Sequence, residues 1–384
     1  MGSKPPYNIR PTDIGSFPLV DINMPQYIQG AADLEDGKRT EAATYFTQQH
    51  NTTFTRKIQA LGPQDSVPCY VQSSVTRDML TQFLDPIVRH GSGLEKHDDT
   101  YHWDGTLIQV PQARAQVAEL LALQHGAKTI CEDLGIERIE YRACITGPFE
   151  LATHLWRSMG VGPRYDEVLI EAFTPIVQAY MNNAQIITKY LKPLVITLDE
   201  PSIGVTGVGD PFMDVESDPK LAHLIHTWNS VLSVVPSQYF RGLHLHASPY
   251  NQLGYANWNL LEAHLGVIVS KAWLQEHDKF IRAAILQTEG PMIPAKADLR
   301  SAWDAIQTGH FQPYLQPPEE MQQYLIQVIN RYGPDRVPFA GPECGLGSWN
   351  WKYGDKMVLA NLRTMHQIIT TFNQKQKVSS KESI

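Results

Sequence analysis

The chain has 384 residues, of which 42% are hydrophobic and 19% charged, with a formal net charge of -8. That is the make-up of a soluble globular chain able to bury one large core or two smaller ones. The acidic balance, with no clustered Lys/Arg stripe, excludes nucleic acid and anionic membrane surfaces as expected partners, and no apolar run reaches the length of a membrane span. The opening Met-Gly-Ser-Lys-Pro-Pro has no apolar core of a signal peptide. Cys69, Cys131, Cys144 and Cys344 lie far apart without a CxxC pair, so no disulfide framework or zinc ribbon is expected. The expected compartment is the reducing cytoplasm.

Taken in order, the pattern alternates between strand and helix. Residues 12–17 are a short strand-like run stopped by Pro18, and a helical pattern over 40–58 repeats Ala42, Tyr45, Phe46 and Phe54 on recurring faces. Val67-Pro-Cys-Tyr-Val-Gln72 is a second strand candidate. The insertion 97–111 predicts a hairpin turning at Asp104-Gly105. A helix is expected over 112–134, with Gly135 as its stop. The strand 138–145 ends in Thr146-Gly-Pro148, and a helix follows over 168–190. Leu194-Val-Ile-Thr-Leu198 is a strand running into Asp199-Glu200-Pro201, and a Gly-rich loop (204–218) separates it from a helix over 221–235.

Tyr239, Phe240, Leu243 and Leu245 then form the body of a buried strand that Pro249 stops, with His244 and His246 two apart on one face. A helix around Leu260, a strand Gly266-Val-Ile-Val-Ser270 and a strand Ala283-Ala-Ile-Leu-Gln-Thr-Glu289 come next. Helices over 299–306 and 319–332 precede Val337-Pro-Phe-Ala-Gly341, which leads into Pro342-Glu-Cys-Gly345. A helix over 356–372 closes the domain 1–373, and 374–384 is expected to be a frayed polar tail.

Short, continuous apolar strands separated by helices are the mark of buried parallel strands. Eight such units in this length predict a single α/β domain, a (β/α)8 barrel with a small hairpin insertion. No Gly-x-Gly-x-x-Gly or Gly-x-x-x-x-Gly-Lys follows the first strand to suggest an open nucleotide-binding sheet. In such a barrel the C-terminal strand ends share one mouth. Gathered there would be Ser16, Asp199, Glu200, His244, His246, Ser248, Lys271, Glu289 and Cys344. Imidazole, carboxylate and thiolate together suit zinc. Taken singly each has a plain structural meaning: Cys344 a small buried hydrophobe, Glu289 a helix-capping acid, Lys271 a solvated rim charge. Convergence therefore rests on the fold.

Six motifs stand in one order: Ile14-Gly-Ser-Phe-Pro18, Arg77-Asp-Met79, Thr146-Gly-Pro148, Leu198-Asp-Glu-Pro201, the His-x-His strand and Pro342-Glu-Cys-Gly-Leu346. This ordered set, spread from about residue 8 to residue 372, resembles the C-terminal catalytic barrel of cobalamin-independent methionine synthases. The resemblance implies transfer of a methyl group to the zinc-bound sulfur of homocysteine. It also implies Cys344 as a zinc ligand and Ile14, Ser16 and Asp199 as residues that hold the amino acid substrate. Without the extra N-terminal barrel of the long enzymes, the chain looks like the short single-barrel forms. For those a methyl-corrinoid donor, brought by a corrinoid protein, is the expectation.

The departures are specific. The family's His-x-Cys pair is matched either by His244-Leu-His246 or by His246-Ala-Ser248. The first register is preferred, because imidazole binds zinc far better than a hydroxyl. The family's glutamate ligand falls on Lys271, and Glu289 becomes the expected fourth ligand beside His244, His246 and Cys344. No acid stands near Val75, where the family holds the substrate ammonium, and the aromatic residue used for a pterin donor appears as His154 or is displaced to Trp156. Two other functions stay open. One is a metal-free barrel doing lyase or hydrolase chemistry with Asp199, Glu289 and Lys271, in which Lys271 serves as a base or Schiff-base nucleophile. The other is a non-catalytic barrel that binds a small ligand or a methyltransferase partner.

Overall fold

A computed structural model describes residues 8–73, 77–160, 165–205 and 219–382. Strand β1 (Arg10–Pro11) is followed by helices α1 (Met24–Glu35), α2 (Glu41–Leu61) and α3 (Thr81–His90). A hairpin of β2 (Leu94–His97) and β3 (Thr100–Trp103) comes next, and then the long α4 (Ala118–Leu134). Strand β4 (Ile139–Thr146) leads to α5 (Pro148–Ser158) and α6 (Glu167–Asn183), and β5 (Leu191–Asp199) to α7 (Pro219–Leu232). After them come β6 (Phe240–Leu245), β7 (Leu260–Ala263), α8 (Lys271–Glu276) and β8 (Phe280–Leu286). Helices α9 (Leu299–Gln307) and α10 (Pro318–Tyr332), strand β9 (Phe339–Pro342) and helix α11 (Gly354–Glu382) complete the chain.

Seven strands form one parallel sheet in the order β1-β9-β8-β7-β6-β5-β4. The sheet curls, and residues 67–72 lie across the gap between its edge strands. They are joined by isolated parallel bridges, Thr12 to Val67 and Ser16 to Gln72 on one side and Cys69 to Arg142 on the other. The expected closed eight-strand barrel is thus a curled seven-strand parallel half-barrel, TIM-barrel-like but not closed, in which residues 67–72 meet both edges through single bridges rather than a continuous ladder. Pro68 interrupts it: a proline has no N–H to give a ladder, while its own carbonyl accepts from Arg142 N–H (3.0 Å). Lys57 of α2 secures the same segment. Its ammonium bonds Asp13 (2.8 Å) and the carbonyls of Cys69 (2.5 Å) and Tyr70 (3.2 Å), and both ionic partners are fully buried.

The period-2 alternation of strands stacks the interior in layers. At the N-terminal end Val67, Val195, Leu260 and Phe339 pack with Phe240 and Phe280, whose rings meet edge to face. Two residues further along β5, β7 and β8 stand Thr197, Glu262 and Arg282, and the layer turns polar: Arg142 of β4 donates to Glu262 and to Thr197 (2.8 Å), and Arg282 donates to the carbonyls of Pro342 and Glu343. A further two residues along, at the C-terminal mouth, stand Asp199, His244 and His264. The fold therefore places the reactive side chains above a charged floor and an apolar plug.

Several expected elements move. The hairpin turns at Asp98-Asp99, not Asp104-Gly105, pairing Leu94 with Trp103 and His97 with Thr100. Asp98 takes the left-handed φ of 53° that such a two-residue turn requires. Residues 266–270 are not a strand. The sixth barrel strand is β7, and Val267 and Ile268 sit in the connection after it, with Ile268 exposed. Strand β8 ends at Leu286, so Glu289 lies beyond the strand rather than at its end. Helix α11 runs on to Glu382, past the end expected at 372, because 373–382 continue a helix-forming sequence with no glycine or proline to stop it. Most of the expected loop 204–218 lies outside the described residues. Among those residues no helix is long and apolar enough to cross a membrane.

Candidate metal centre

Four side chains meet at the mouth. The Nε2 of His244 and that of His246 lie 3.9 and 3.5 Å from the Cys344 sulfur. His264, the residue after β7, completes the group: one ligand atom from each of His244, His246, His264 and Cys344 falls within 4.8 Å of the others. The rings of His246 and His264 are 4.0 Å apart, centre to centre. Each residue is delivered by strand geometry. His244 is the inward residue of β6 and His246 the next on that face. Leu260, Glu262 and His264 share the inward face of their strand, and Cys344 follows β9, whose end is pinned by the two Arg282 hydrogen bonds.

The electrostatics prepare these groups for a cation. Burial pushes the pKa of His246 and of His264 down to about 4, and burial followed by the neighbouring His246 holds His244 well below its usual value, so all three are neutral imidazoles at pH 7. Burial, then the Asp199 carboxylate, pushes the Cys344 thiol up to about 12, so a nearby cation is needed to keep it a thiolate. His264 Nε2 is buried with no hydrogen-bond partner. A tetrahedron with Zn–N near 2.0 Å and Zn–S near 2.3 Å has N···S edges of about 3.5 Å, close to the shorter of the two observed separations. These residues could hold a metal ion, and they fit zinc. Glu343 supports them: its carboxylate accepts Leu265 N–H (3.2 Å) and Thr288 N–H (3.1 Å) and stands 4.0 Å from His264 Nδ1.

A cavity of about 450 Å³ opens against three of the four ligands, His244, His246 and Cys344, and is also walled by Ile14, Ser16, Gln72, Cys144, Thr146 and Asp199. Burial, then the nearby Glu150 carboxylate, raises the pKa of Asp199 to about 8, and its Oδ1 has no partner. Glu200 turns away from the mouth and accepts Glu150 N–H (2.7 Å) and the Trp228 indole N–H (3.0 Å), a structural role. Ser16 donates to Gln72 Oε1 (3.0 Å). Glycine is required beside it, since a Cβ on Gly345 would stand 2.7 Å from the Ser16 Cβ.

The other expected residues lie elsewhere. Lys271 is the first residue of α8 and exposed, Glu289 is exposed, and neither lines the cavity. Ser248 is exposed and donates to the Ile268 carbonyl (3.3 Å). Val75 lies outside the described residues. Two residues escaped notice in the sequence, His264 and Gln72. The available signal for His264 was the spacing Leu260-x-Glu262-x-His264, one face of a strand; Gln72 gave none.

No family model matches the chain, and no curated protein matches it. Solved structures do. A methyltransferase from Methanosarcina mazei superposes with a TM-score of 0.54 at 12% identity, covering 95% of this chain and 94% of that one. A B12-independent methionine synthase from a Shewanella species, solved with selenomethionine, superposes with a TM-score of 0.57 at 11% identity, covering 97% and 99%. The chain shares the barrel fold of these proteins. At such identity the likeness concerns the fold alone.

Proposed function

We propose that the chain is a zinc-dependent S-methyltransferase acting on a small thiol amino acid, with homocysteine the first choice. The observation that carries this is the convergence of His244, His246, His264 and Cys344 on the wall of a cavity that also presents Asp199 and Ser16. Bound there, zinc would lower the pKa of a substrate thiol and hold it as the nucleophilic thiolate. His264 does not line the cavity, so a substrate sulfur would reach the ion from the side of His244, His246 and Cys344, as a fifth donor or in place of one of the protein ligands. Asp199 and Ser16 would hold the amino acid end, with the ammonium on the carboxylate. An ammonium beside Asp199 offsets the burial that raises its pKa, and so favours the ionised pair inside the site. The cavity walls would position the thiol beside the ion.

The fold likeness to a methyltransferase and a methionine synthase supports this chemistry over others, as does the ordered set of sequence motifs. A methyl-corrinoid donor, delivered by a partner protein, belongs to the same proposal and rests on the motif resemblance. The test is to supply zinc-replete protein with homocysteine and methylcobalamin and to follow methionine formation. Activity that disappears in Cys344→Ser supports the proposal. No methionine formation, together with no binding of homocysteine to the metal-loaded protein, overturns it.

A further inference from the structure

Three buried polar atoms on residues that line the cavity beside the candidate metal centre have no partner: His244 Nδ1, on the ring whose Nε2 lies 3.9 Å from the Cys344 sulfur, and, away from the metal ligands, one donor and one acceptor. Gln72 is 5% exposed and its Nε2 has no hydrogen-bond partner; Asp199 is 8% exposed and its Oδ1 has none. Gln72 is not free to turn away. Its N–H donates to Gly15 O (3.2 Å), its carbonyl accepts Phe17 N–H (2.9 Å), and Ser16 Oγ bonds its Oε1 (3.0 Å). Gly15 makes this possible with a φ of 127°, a conformation that side chains rarely allow. With the oxygen occupied by Ser16, the amide N–H is left without a partner on a residue that lines the cavity. Buried polar groups are almost always satisfied, and an exception in a cavity wall points to a ligand.

The charges in the wall narrow the ligand further. Among the described residues that line the cavity none is a lysine or arginine, and Asp199 is the sole carboxylate. An anionic ligand would meet the Gln72 N–H and leave Asp199 Oδ1 without a donor. A cationic ligand would satisfy Asp199 and leave the Gln72 N–H unmet. A ligand with both an ammonium and a carboxylate satisfies both.

We propose that Gln72 is a substrate-binding residue that donates its side-chain N–H to the carboxylate of an α-amino acid whose ammonium rests on Asp199, and that this pair makes the cavity select zwitterions over anions and cations of the same shape. This deepens the thiol-transferase proposal, since it names how the head group at that site is read. It requires neither the metal nor the thiol, so the two are tested apart.

The probes are methionine, 3-(methylthio)propylamine, which lacks its carboxylate, and 4-(methylthio)butanoate, which lacks its ammonium. Each is titrated calorimetrically into the full chain, with and without zinc. The wild type should bind methionine at least ten-fold more tightly than either analogue. Gln72→Leu should weaken methionine about ten-fold and leave the amine within two-fold, and Gln72→Glu should invert the order in favour of the amine. The wild-type comparison stands even if a variant fails to fold. Equal affinities for the three probes, no binding of any of them, or methionine affinity unchanged in folded Gln72 variants overturns the proposal. If methionine is selected as described but no methyl transfer occurs, head-group recognition stands and the transferase proposal alone is lost.

Discussion

His246 Nε2 lies 3.5 Å from Cys344 Sγ although 98 residues separate them in the chain. The contact exists because β6 and β9 carry their C-terminal ends to the same mouth. His264 enters the same group from the end of β7, and it is the candidate ligand with a supporting carboxylate, Glu343, 4.0 Å from its Nδ1. His264→Ala should therefore lower zinc affinity by at least ~10-fold, the scale on which even the outer partners of a metal site act. Competition with a chromophoric chelator measures this, and unchanged affinity would remove His264 from the ligand set.

Lys271 and Glu289 are exposed and outside the cavity wall. Lys271→Ala and Glu289→Ala should leave both metal content and zinc affinity within two-fold of wild type. Loss of zinc in Glu289→Ala would restore that residue as a ligand.

Strands with long apolar bodies were legible in the sequence. The β5 and β6 runs, and the Pro342-Glu343-Cys344 turn after β9, lie where their composition put them, and so do His244, His246 and Asp199 relative to the mouth. The sixth barrel strand was not legible, for a physical reason. Leu260–Ala263 is four residues long and includes Glu262, a poor strand former that is buried only because Arg142, 120 residues earlier, pairs with it. The neighbouring Val267-Ile268-Val269 has the better strand composition but lies in a connection. Misplacing that strand put the family's glutamate-ligand position on Lys271, left Glu289 as the expected fourth ligand, and hid His264. Gln72 was hidden differently, since an unpaired amide N–H is a property of the packed wall and leaves no trace in a pattern of residues.

His50 gives a pH signature separate from the metal site. It accepts Val71 N–H at Nε2 (3.2 Å), beside Gln72, and burial pushes its pKa down to about 4. The folded chain thus binds fewer protons here than the unfolded chain between about pH 4 and 6.5. The stability that His50 contributes is present above pH 6.5 and lost as pH falls to 4, by roughly 3 kcal/mol over that window. His50→Gln keeps an acceptor without a titrating ring. Chemical denaturation at stepped pH should show the wild type losing stability relative to this variant as the pH falls; a constant difference would contradict the assignment.

The Lys57–Asp13 pair fastens residues 67–72 across the gap in the curled sheet, and both side chains are fully buried. Lys57→Met leaves Asp13 charged and uncompensated, which should cost about 3–5 kcal/mol of unfolding free energy. Urea unfolding monitored by circular dichroism measures it. A loss below ~1 kcal/mol would show that the ion pair is dispensable for the segment's position.

The central claim is that three imidazoles and one thiolate hold a single zinc ion at the barrel mouth. Zinc-edge X-ray absorption on protein purified without chelators or a histidine tag, paired with elemental analysis, tests it most directly. The account predicts one zinc per chain in a shell of three nitrogens at about 2.0 Å and one sulfur at about 2.3 Å, with the sulfur lost in Cys344→Ser. Protein that takes up no zinc under anaerobic, zinc-replete conditions, or a zinc shell without sulfur, would contradict it.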